Sequence, residues 1–228
     1  MAETWLRIVT YRTTRGSSEA RKYITEGLQD VLRKLSGTPG FRGGHWAHDP
    51  EGLTIAAVTN WSSRDAIEAT GSYLKQLRGD RLAHGLTLGK EVNLQLFTSP
   101  TSWDPADWTA ITSRNASNWM RVAFYDNAKD PTAVEHLRSS TGDALNVLKE
   151  QAGFRVGYWG HDAVEGTAAA VTYWDGMEYI EKASGELDKI HADRKAHGSA
   201  IADVLNLQLL HTELVGEGAK GWMPLPKR

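Results

Sequence analysis

Residues 40–49 read Gly40-Phe41-Arg42-Gly43-Gly44-His45-Trp46-Ala47-His48-Asp49, and residues 153–162 read Gly153-Phe154-Arg155-Val156-Gly157-Tyr158-Trp159-Gly160-His161-Asp162. The likeness continues through Val58-Thr59-Asn60-Trp61 and Val171-Thr172-Tyr173-Trp174. It then passes through Asp80-Arg81-Leu82-Ala83-His84-Gly85 and Asp193-Arg194-Lys195-Ala196-His197-Gly198, and ends at Asn93-Leu94-Gln95-Leu96 and Asn206-Leu207-Gln208-Leu209. The spacing is 113 from Phe41/Phe154 onward and 114 before Gly40, as at Arg7/Arg121 and Tyr11/Tyr125. That shift assigns the loss of one residue to the first helix of the second copy. A repeat of this length is a small domain, not a solenoid unit. The chain therefore reads as a tandem duplication: a first domain over 1–98, a linker over 99–118, a second domain over 119–213 and an irregular tail over 214–228.

Within the first copy, residues 5–12 are β-branched and aromatic and predict a strand. Gly16-Ser17-Ser18 offers a helix start, and Tyr23, Ile24, Leu28, Val31, Leu32 and Leu35 recur at three- and four-residue steps, the period of an amphipathic helix. Gly37-Thr38-Pro39-Gly40 ends it. Strands follow at 41–48 and 53–61 around the turn Asp49-Pro50-Glu51-Gly52. Ser62 or Ser63 caps a second helix to about residue 83, weakened at Gly71 and Gly79. A fourth strand covers 91–98. The second copy repeats the order, with a strand near 119–126, a helix over 131–150, strands at 154–161 and 166–174, a helix over 176–196 and a strand over 203–213. The order β-α-β-β-α-β is the ferredoxin-like split βαβ arrangement, an α+β class. Both faces of its strands are apolar, which predicts that the two sheets press together into an intramolecular barrel and that a ligand sits in the enclosed space.

Composition narrows the function. The net charge is −2 with no basic tail or stripe, which argues against a nucleic-acid partner. There are no cysteines, hence neither a disulfide framework nor thiol chemistry. The start Met1-Ala2-Glu3-Thr4-Trp5 carries no basic and apolar leader, and no apolar run reaches the length of a membrane span, so a cytoplasmic location without membrane contact is expected. Asn115-Ala116-Ser117 matches a glycosylation sequon and is read as chance. Nine tryptophans either fill a core or line a pocket for a flat ligand.

Pro39-Gly40-Phe41 entering a strand, a glycine-containing turn, then Val58-x-x-Trp61-Ser62-Ser63-x-x-Ala66 leading into a helix resemble the antibiotic biosynthesis monooxygenase superfamily, over roughly 5–98 and 119–213. The resemblance implies dimeric α+β barrels, here within one chain, with a homodimer of the two-domain chain compatible. It also implies a cofactor-free oxygenase of the anthrone-oxidising kind, acting with dioxygen on an aromatic, polyketide-like substrate. In those oxygenases a Trp ending the third strand and an Arg twenty residues later line the pocket. The matching pairs are Trp61/Arg81 and Trp174/Arg194. The family's pocket Asn and Tyr are replaced by Ala57 and Ala170 and by Ile67 and Ile180. Haem-degrading members of the superfamily imply the alternative cofactor, haem, held by His84 or His197. A non-catalytic binder of a flat ligand is the third reading.

The candidate residues follow. Arg81 and Arg194 offer fixed charge and several donors to a phenolate or oxyanion; the plainer reading is a solvated helix residue. Trp61 and Trp174 either bound a pocket beside small residues or seal the core. His48 and His161 are the first candidates for a general base, sharing a strand face with Trp46 and Trp159. His84 and His197 are the second, and also fit as helix C-terminal caps. Asn93, Gln95, Asn206 and Gln208 alternate with leucines. The leucines are expected to face the helices and the amides to face a ligand site, or to form a ladder between the copies. Tyr158 and Tyr173 could add hydroxyls around Arg194. His45 and His48, three apart on a strand, face opposite ways, so no metal site is expected.

Overall fold

The computed structural model describes residues 4–14, 16–51, 53–97, 119–126 and 129–214. The linker and the tail, with Trp103, Trp108, Trp222, Met223 and the sequon, lie outside the described residues. The fold is α+β. The strands are β1 (Trp5–Thr13), β2 (Phe41–His48), β3 (Thr54–Trp61), β4 (Leu86–Leu96), β5 (Trp119–Tyr125), β6 (Phe154–Asp162), β7 (Thr167–Trp174) and β8 (Ile201–Leu214). Their hydrogen-bonded order is β1-β3-β2-β8-β5-β7-β6-β4, a closed barrel order. The helices are α1 (Ser17–Ser36), α2 (Arg64–Glu68), α3 (Gly71–Ala83), α4 (Pro131–Ser139), α5 (Thr141–Lys149), α6 (Met177–Lys182) and α7 (Ser184–Ala196).

The two halves have matching registers. β1 pairs antiparallel with β3 from Trp5↔Trp61 to Arg12↔Thr54, and β5 pairs with β7 from Trp119↔Trp174 to Tyr125↔Ala168. β2 and β6 each slip by one residue next to their opening phenylalanine, at Phe41/Gly43 and Phe154/Val156. Such a bulge re-aims the side chains that follow it.

The chain forms two compact units whose borders differ from the expected 98 and 119. One unit is 2–93 with 207–228, the other 94–206. Each unit thus takes the end of a strand that the other half begins. In the first, β2 pairs with the stretch of β8 from Gln208 to Leu214. In the second, Gln95 and Leu96 of β4 pair with His161 and Gly160 of β6. A border read from the repeat falls between strands, whereas the hydrogen bonds fall across them.

Each unit packs its helices on one sheet face. Leu28, Val31, Leu32 and Leu35 of α1 meet Trp46 and Trp61. Leu137, Leu145 and Leu148 of α4 and α5 meet Trp159 and Trp174. Three expected single helices are broken or displaced. Thr70 donates to the Ile67 carbonyl (2.6 Å), closing α2 before α3. Thr141 donates to the Leu137 carbonyl (2.7 Å), where the expected 131–150 helix divides into α4 and α5. Hydroxyls that bond back to a preceding turn bend or interrupt helices in this way. The expected 176–196 helix divides at Ala183. β4 and β8 start earlier than expected because Gly85 (φ 77°) and Gly198 (φ 92°) turn the chain directly after the helix ends.

The lost residue of the second copy also falls elsewhere than expected. Tyr23 contacts Asp80 and stacks on His84 at 4.3 Å, and His136 contacts Asp193 and stacks on His197 at 3.7 Å. Tyr23 and His136 therefore correspond at the same spacing as the later residues. The deletion lies in the connection ahead of α4, not within the helix.

A fragment ending at residue 98 lacks the β8 stretch that pairs with β2, and an uncovered strand edge templates association. Residues 1–98 expressed alone should self-associate or aggregate in size-exclusion chromatography with light scattering. A soluble, folded monomer would contradict the shared-strand architecture.

Candidate functional site

The tryptophans of each half are turned towards the helices of their own unit, not towards the opposite sheet face where the ligand was expected. Trp61 is fully buried and its indole donates to Thr59 Oγ1 at 2.9 Å; Trp174 repeats this with Thr172 at 3.0 Å. Their donors are satisfied within the strand, so neither indole has a free N–H for a ligand. Trp46 and Trp159 lie flat over Gly44 and Gly157. A Cβ at Gly44 would stand 2.8 Å from Trp46 Cη2, and one at Gly157 2.5 Å from Trp159 Cη2. The Gly-x-Trp spacing in both copies makes room for that ring.

Arg81 and Arg194 project from α3 and α7 into the same layer and are 6% and 1% exposed. The Arg81 guanidinium lies 4.4 Å from the Tyr11 ring centre. Arg194 lies 5.1 Å from the Tyr125 ring centre, and its Nη1 donates to the Tyr125 hydroxyl at 2.7 Å. In both halves, then, the repeat's Arg is a buried group beside a first-strand tyrosine.

The halves diverge around this shared pair. In the second, Arg121, Tyr125, Trp159, Thr172, His191 and Arg194 line a cavity of about 20 Å³, room for a single water. Arg121 Nη1 donates to Asn206 Oδ1 at 3.0 Å. Four buried donors are left without a partner: Trp159 Nε1, Arg121 Nε, and Nε and Nη2 of Arg194. None of the described residues lining this cavity is a carboxylate. Burial, then the charges of Arg121 and Arg194, hold the His191 imidazole down at about 4, from an ordinary 6.5. At neutral pH it is an uncharged acceptor between two cations.

In the first half Arg7, the counterpart of Arg121, donates to Glu91 Oε1 through Nε (3.2 Å) and Nη2 (3.0 Å). Arg78 bonds the other oxygen of Glu91. By the repeat spacing Glu91 corresponds to Val204 and Arg78 to His191. The first half bonds Arg7 and Arg78 to a carboxylate, whereas in the second Arg121 is bonded to an amide and the charge of Asp188 acts on it from outside the cavity lining. The first half has instead a cavity of about 230 Å³ between α1 and α3, lined by Tyr23, Leu28, Tyr73, Asp80 and Arg81.

The remaining candidates are placed apart from the arginines. His48 lines a different cavity, of about 410 Å³, with Arg21, Lys22 and Gln208. Burial first, then Arg21, lowers its pKa. His161 is half-buried, opposite Ala168 and Gln95, and does not line the Arg194 cavity. His84 and His197 sit at the ends of α3 and α7, their Nδ1 atoms 2.9 and 2.8 Å from the carbonyls of Asp80 and Asp193.

The expected facing of the amides is reversed. Asn206 bonds Arg121 on the helix side, Asn93 shares a strand face with Glu91, and Leu94 and Leu207 are buried on the other face. Gln95 is exposed. Tyr158 and Tyr173 pack edge to face at 6.2 Å, on the strand face opposite their tryptophan neighbours. His45 Nδ1 is 2.7 Å from Thr212 Oγ1. Sequence reasoning missed His191. The signal was available: Leu187, His191 and Arg194 stand four and three apart, one face of a helix.

No family model matches the chain, and no curated protein matches it. Among solved structures, it is similar along its whole length to a proposed monooxygenase of Fusobacterium nucleatum, with 14% identity, 100% of this chain and 99% of that one covered, and a TM-score of 0.62. It is also similar to an anthrone oxidase-like protein (13% identity, 98% of each chain, TM-score 0.59). A variant of the chlorite dismutase of Candidatus Nitrospira defluvii is a further match (10% identity, 90% and 91%, TM-score 0.56). These likenesses show a shared fold. No described helix is long and apolar enough to cross a membrane.

The lowered His191 pKa has a consequence for stability. Between pH 6.5 and about 4 the unfolded chain binds a proton at His191 that the folded chain refuses, so stability is complete above that window and falls as pH drops through it. In urea titrations at pH 7 and pH 4.5, the loss of midpoint on acidification should be smaller for His191→Asn than for the wild type. An equal loss would mean that His191 is not held neutral by its neighbours.

Proposed function

We propose that the protein is a cofactor-independent monooxygenase of the antibiotic biosynthesis type, built from two ferredoxin-like repeats, and that it oxidises an acidic aromatic, polyketide-like substrate at the Arg194 site. The observation that carries this reading is the set of four buried donors without a hydrogen-bond partner around two guanidiniums, in a cavity whose described lining holds no carboxylate. An unsatisfied buried donor costs about 1–3 kcal/mol, more when charged, and a bound phenolate or enolate removes that cost. The monooxygenase and anthrone oxidase-like neighbours share the fold and support the reaction class.

The chemistry follows from the residues. Arg121 and Arg194 lower the pKa of a bound phenol by stabilising its anion. His191, uncharged between them, accepts the proton, and the anion's charge offsets the two cations that keep His191 a weak base. Trp159 provides a flat surface and one more donor. The electron-rich carbon of the anion then reacts with dioxygen to form a C–O bond, and the resulting peroxide anion takes the proton back from His191 to give a hydroperoxide. With a methylene substrate of the anthrone type, the hydroperoxide loses water to leave a ketone, so one oxygen atom enters the product and the other leaves as water. The present cavity holds only a water, so a ring enters by displacing the α6–α7 pair.

The haem alternative fits less well. The His84 and His197 rings lie against Tyr23 and His136 on exposed helix surfaces, and neither lines a described cavity.

Oxygen-electrode assays with a 1,8-dihydroxyanthrone test the proposal. Wild-type protein should consume dioxygen. Arg194→Ala should lower kcat/KM about ten- to a hundred-fold, the worth of a charge-assisted contact of about 1.5–3 kcal/mol. Arg81→Ala should change it less than about three-fold, because it leaves the Arg194 pocket intact. Val204→Glu, which gives the second half the first half's carboxylate, should abolish turnover. Ligand binding without oxygen uptake would convert the reading to a binder, and equal losses at Arg81 and Arg194 would mean two equivalent sites.

A further inference from the structure

Outside the Arg194 cavity, on the outer side of the same helix, His136, Asp193 and His197 form a compact cluster. One ligand atom from each lies within 4.8 Å of the others. His136 Nε2 is 2.9 Å from Asp193 Oδ2, and His197 Nδ1 is 3.5 Å from Asp193 Oδ1. Asp193 and His197 are four apart on α7 and so project from one side of it; His136 reaches across from α4. The His197 Nδ1–H is directed at the Asp193 carbonyl at 2.8 Å, which leaves its Nε2 lone pair outward, the usual second-shell arrangement for a ligating histidine.

The first half supplies a natural control. There the three positions are Tyr23, Asp80 and His84, with the Tyr23 hydroxyl donating to Asp80 and its ring stacked on His84. A neutral phenol closes that contact with a hydrogen bond and is a poor partner for a divalent ion. In the second half an imidazole replaces the phenol, and the donor set becomes two nitrogens and one carboxylate oxygen.

We propose that His136, Asp193 and His197 bind a divalent transition-metal ion of the zinc class, with the remaining coordination position open to water. Such ions take imidazole nitrogen and carboxylate oxygen at about 2.0–2.2 Å in tetrahedral sites, which one of the two imidazoles reaches by turning out of the stack that the rings form at 3.7 Å. The ion ties α4 to α7. Because α7 also carries His191 and Arg194, the metal fixes the helix that presents the oxyanion-side residues, while taking no part in the cavity itself. The inference is independent of the reaction proposed above.

The test uses full-length, tag-free protein after dialysis against EDTA. Titration with Co²⁺, followed by visible absorption, and with Zn²⁺, followed by calorimetry, should show one site per chain. Zn²⁺ should raise the thermal midpoint. His136→Tyr, which installs the first half's residue, should keep the metal-free thermal midpoint and circular dichroism. It should weaken Zn²⁺ binding by at least about ten-fold, since even loss of an outer-shell partner costs that much. His84→Ala should leave the stoichiometry at one. Should His136→Tyr fail to fold, His197→Gln provides the same readout. Wild-type binding no tighter than that of His136→Tyr, or no binding at all, would reduce the cluster to an ion pair with a stacked imidazole and overturn the proposal.

Discussion

A guanidinium with 1% of its surface exposed, as at Arg194, has given up the water that would solvate its charge. Removing a cation from water costs several kcal/mol unless charges or hydrogen bonds of the protein replace what is lost. The first half replaces part of it with a charge at Arg7, where Glu91 meets both Arg7 and Arg78, although burial still outweighs that pair. The second half replaces it in part, with the Tyr125 hydroxyl and the Asn206 amide, both neutral acceptors. This difference in charge compensation organises the rest of the layer. Burial, then the charges of Arg121 and Arg194, keeps His191 neutral, and Val204 stands where a carboxylate stands in the other half. The difference also makes the larger, emptier first-half cavity the weaker candidate: its lining includes Asp80 as an internal carboxylate.

Much of the architecture was legible because it depends on local patterns that occur twice. The Gly-x-Trp step, the strand-ending Trp and the Ala-His-Gly helix end each fix one turn or one packing contact, and their repetition at a constant spacing locates them. The register of β1 on β3 and of β5 on β7 follows from those anchors. The helix breaks were less visible, because a threonine hydroxyl bonding back to its own helix, as at Thr70 and Thr141, leaves no mark on hydrophobic periodicity.

The facing of the strands was not legible, and the reason is physical. Period-two alternation tells which residues share a face but not which face meets the helices. Where one face is polar, composition breaks the tie. Here Leu94 and Leu207 are as buried as Trp61 and Trp174, so hydrophobicity carries no directional information. Asn206 was recognised as a candidate and assigned to the wrong side for this reason. The one contact that could have set the direction is glycine. Gly44 and Gly157 are required because a ring lies over them, and that ring belongs to the tryptophan two residues on. Gly-x-Trp therefore marks the face that carries the indole, and the helix residues that pack on that indole then identify the layer.

Symmetry completes the argument. Two identical halves would have to accept each substitution twice, in both sites at once. In one chain each site can change alone. Three positions of this chain differ in a way that acts on the same helix layer: Glu91 against Val204, Arg78 against His191, and Tyr23 against His136. Each replacement in the second half removes an internal partner or adds a ligating imidazole. Val204 leaves Arg121 without the strand carboxylate that Arg7 bonds. His191 substitutes a group that can accept a proton for one that cannot. His136 turns a hydrogen-bonded contact between helices into a cluster of nitrogen and oxygen donors. The first half bonds Arg7 and Arg78 to Glu91, whereas the second leaves four buried donors of Arg121, Arg194 and Trp159 without a hydrogen-bond partner around one cavity.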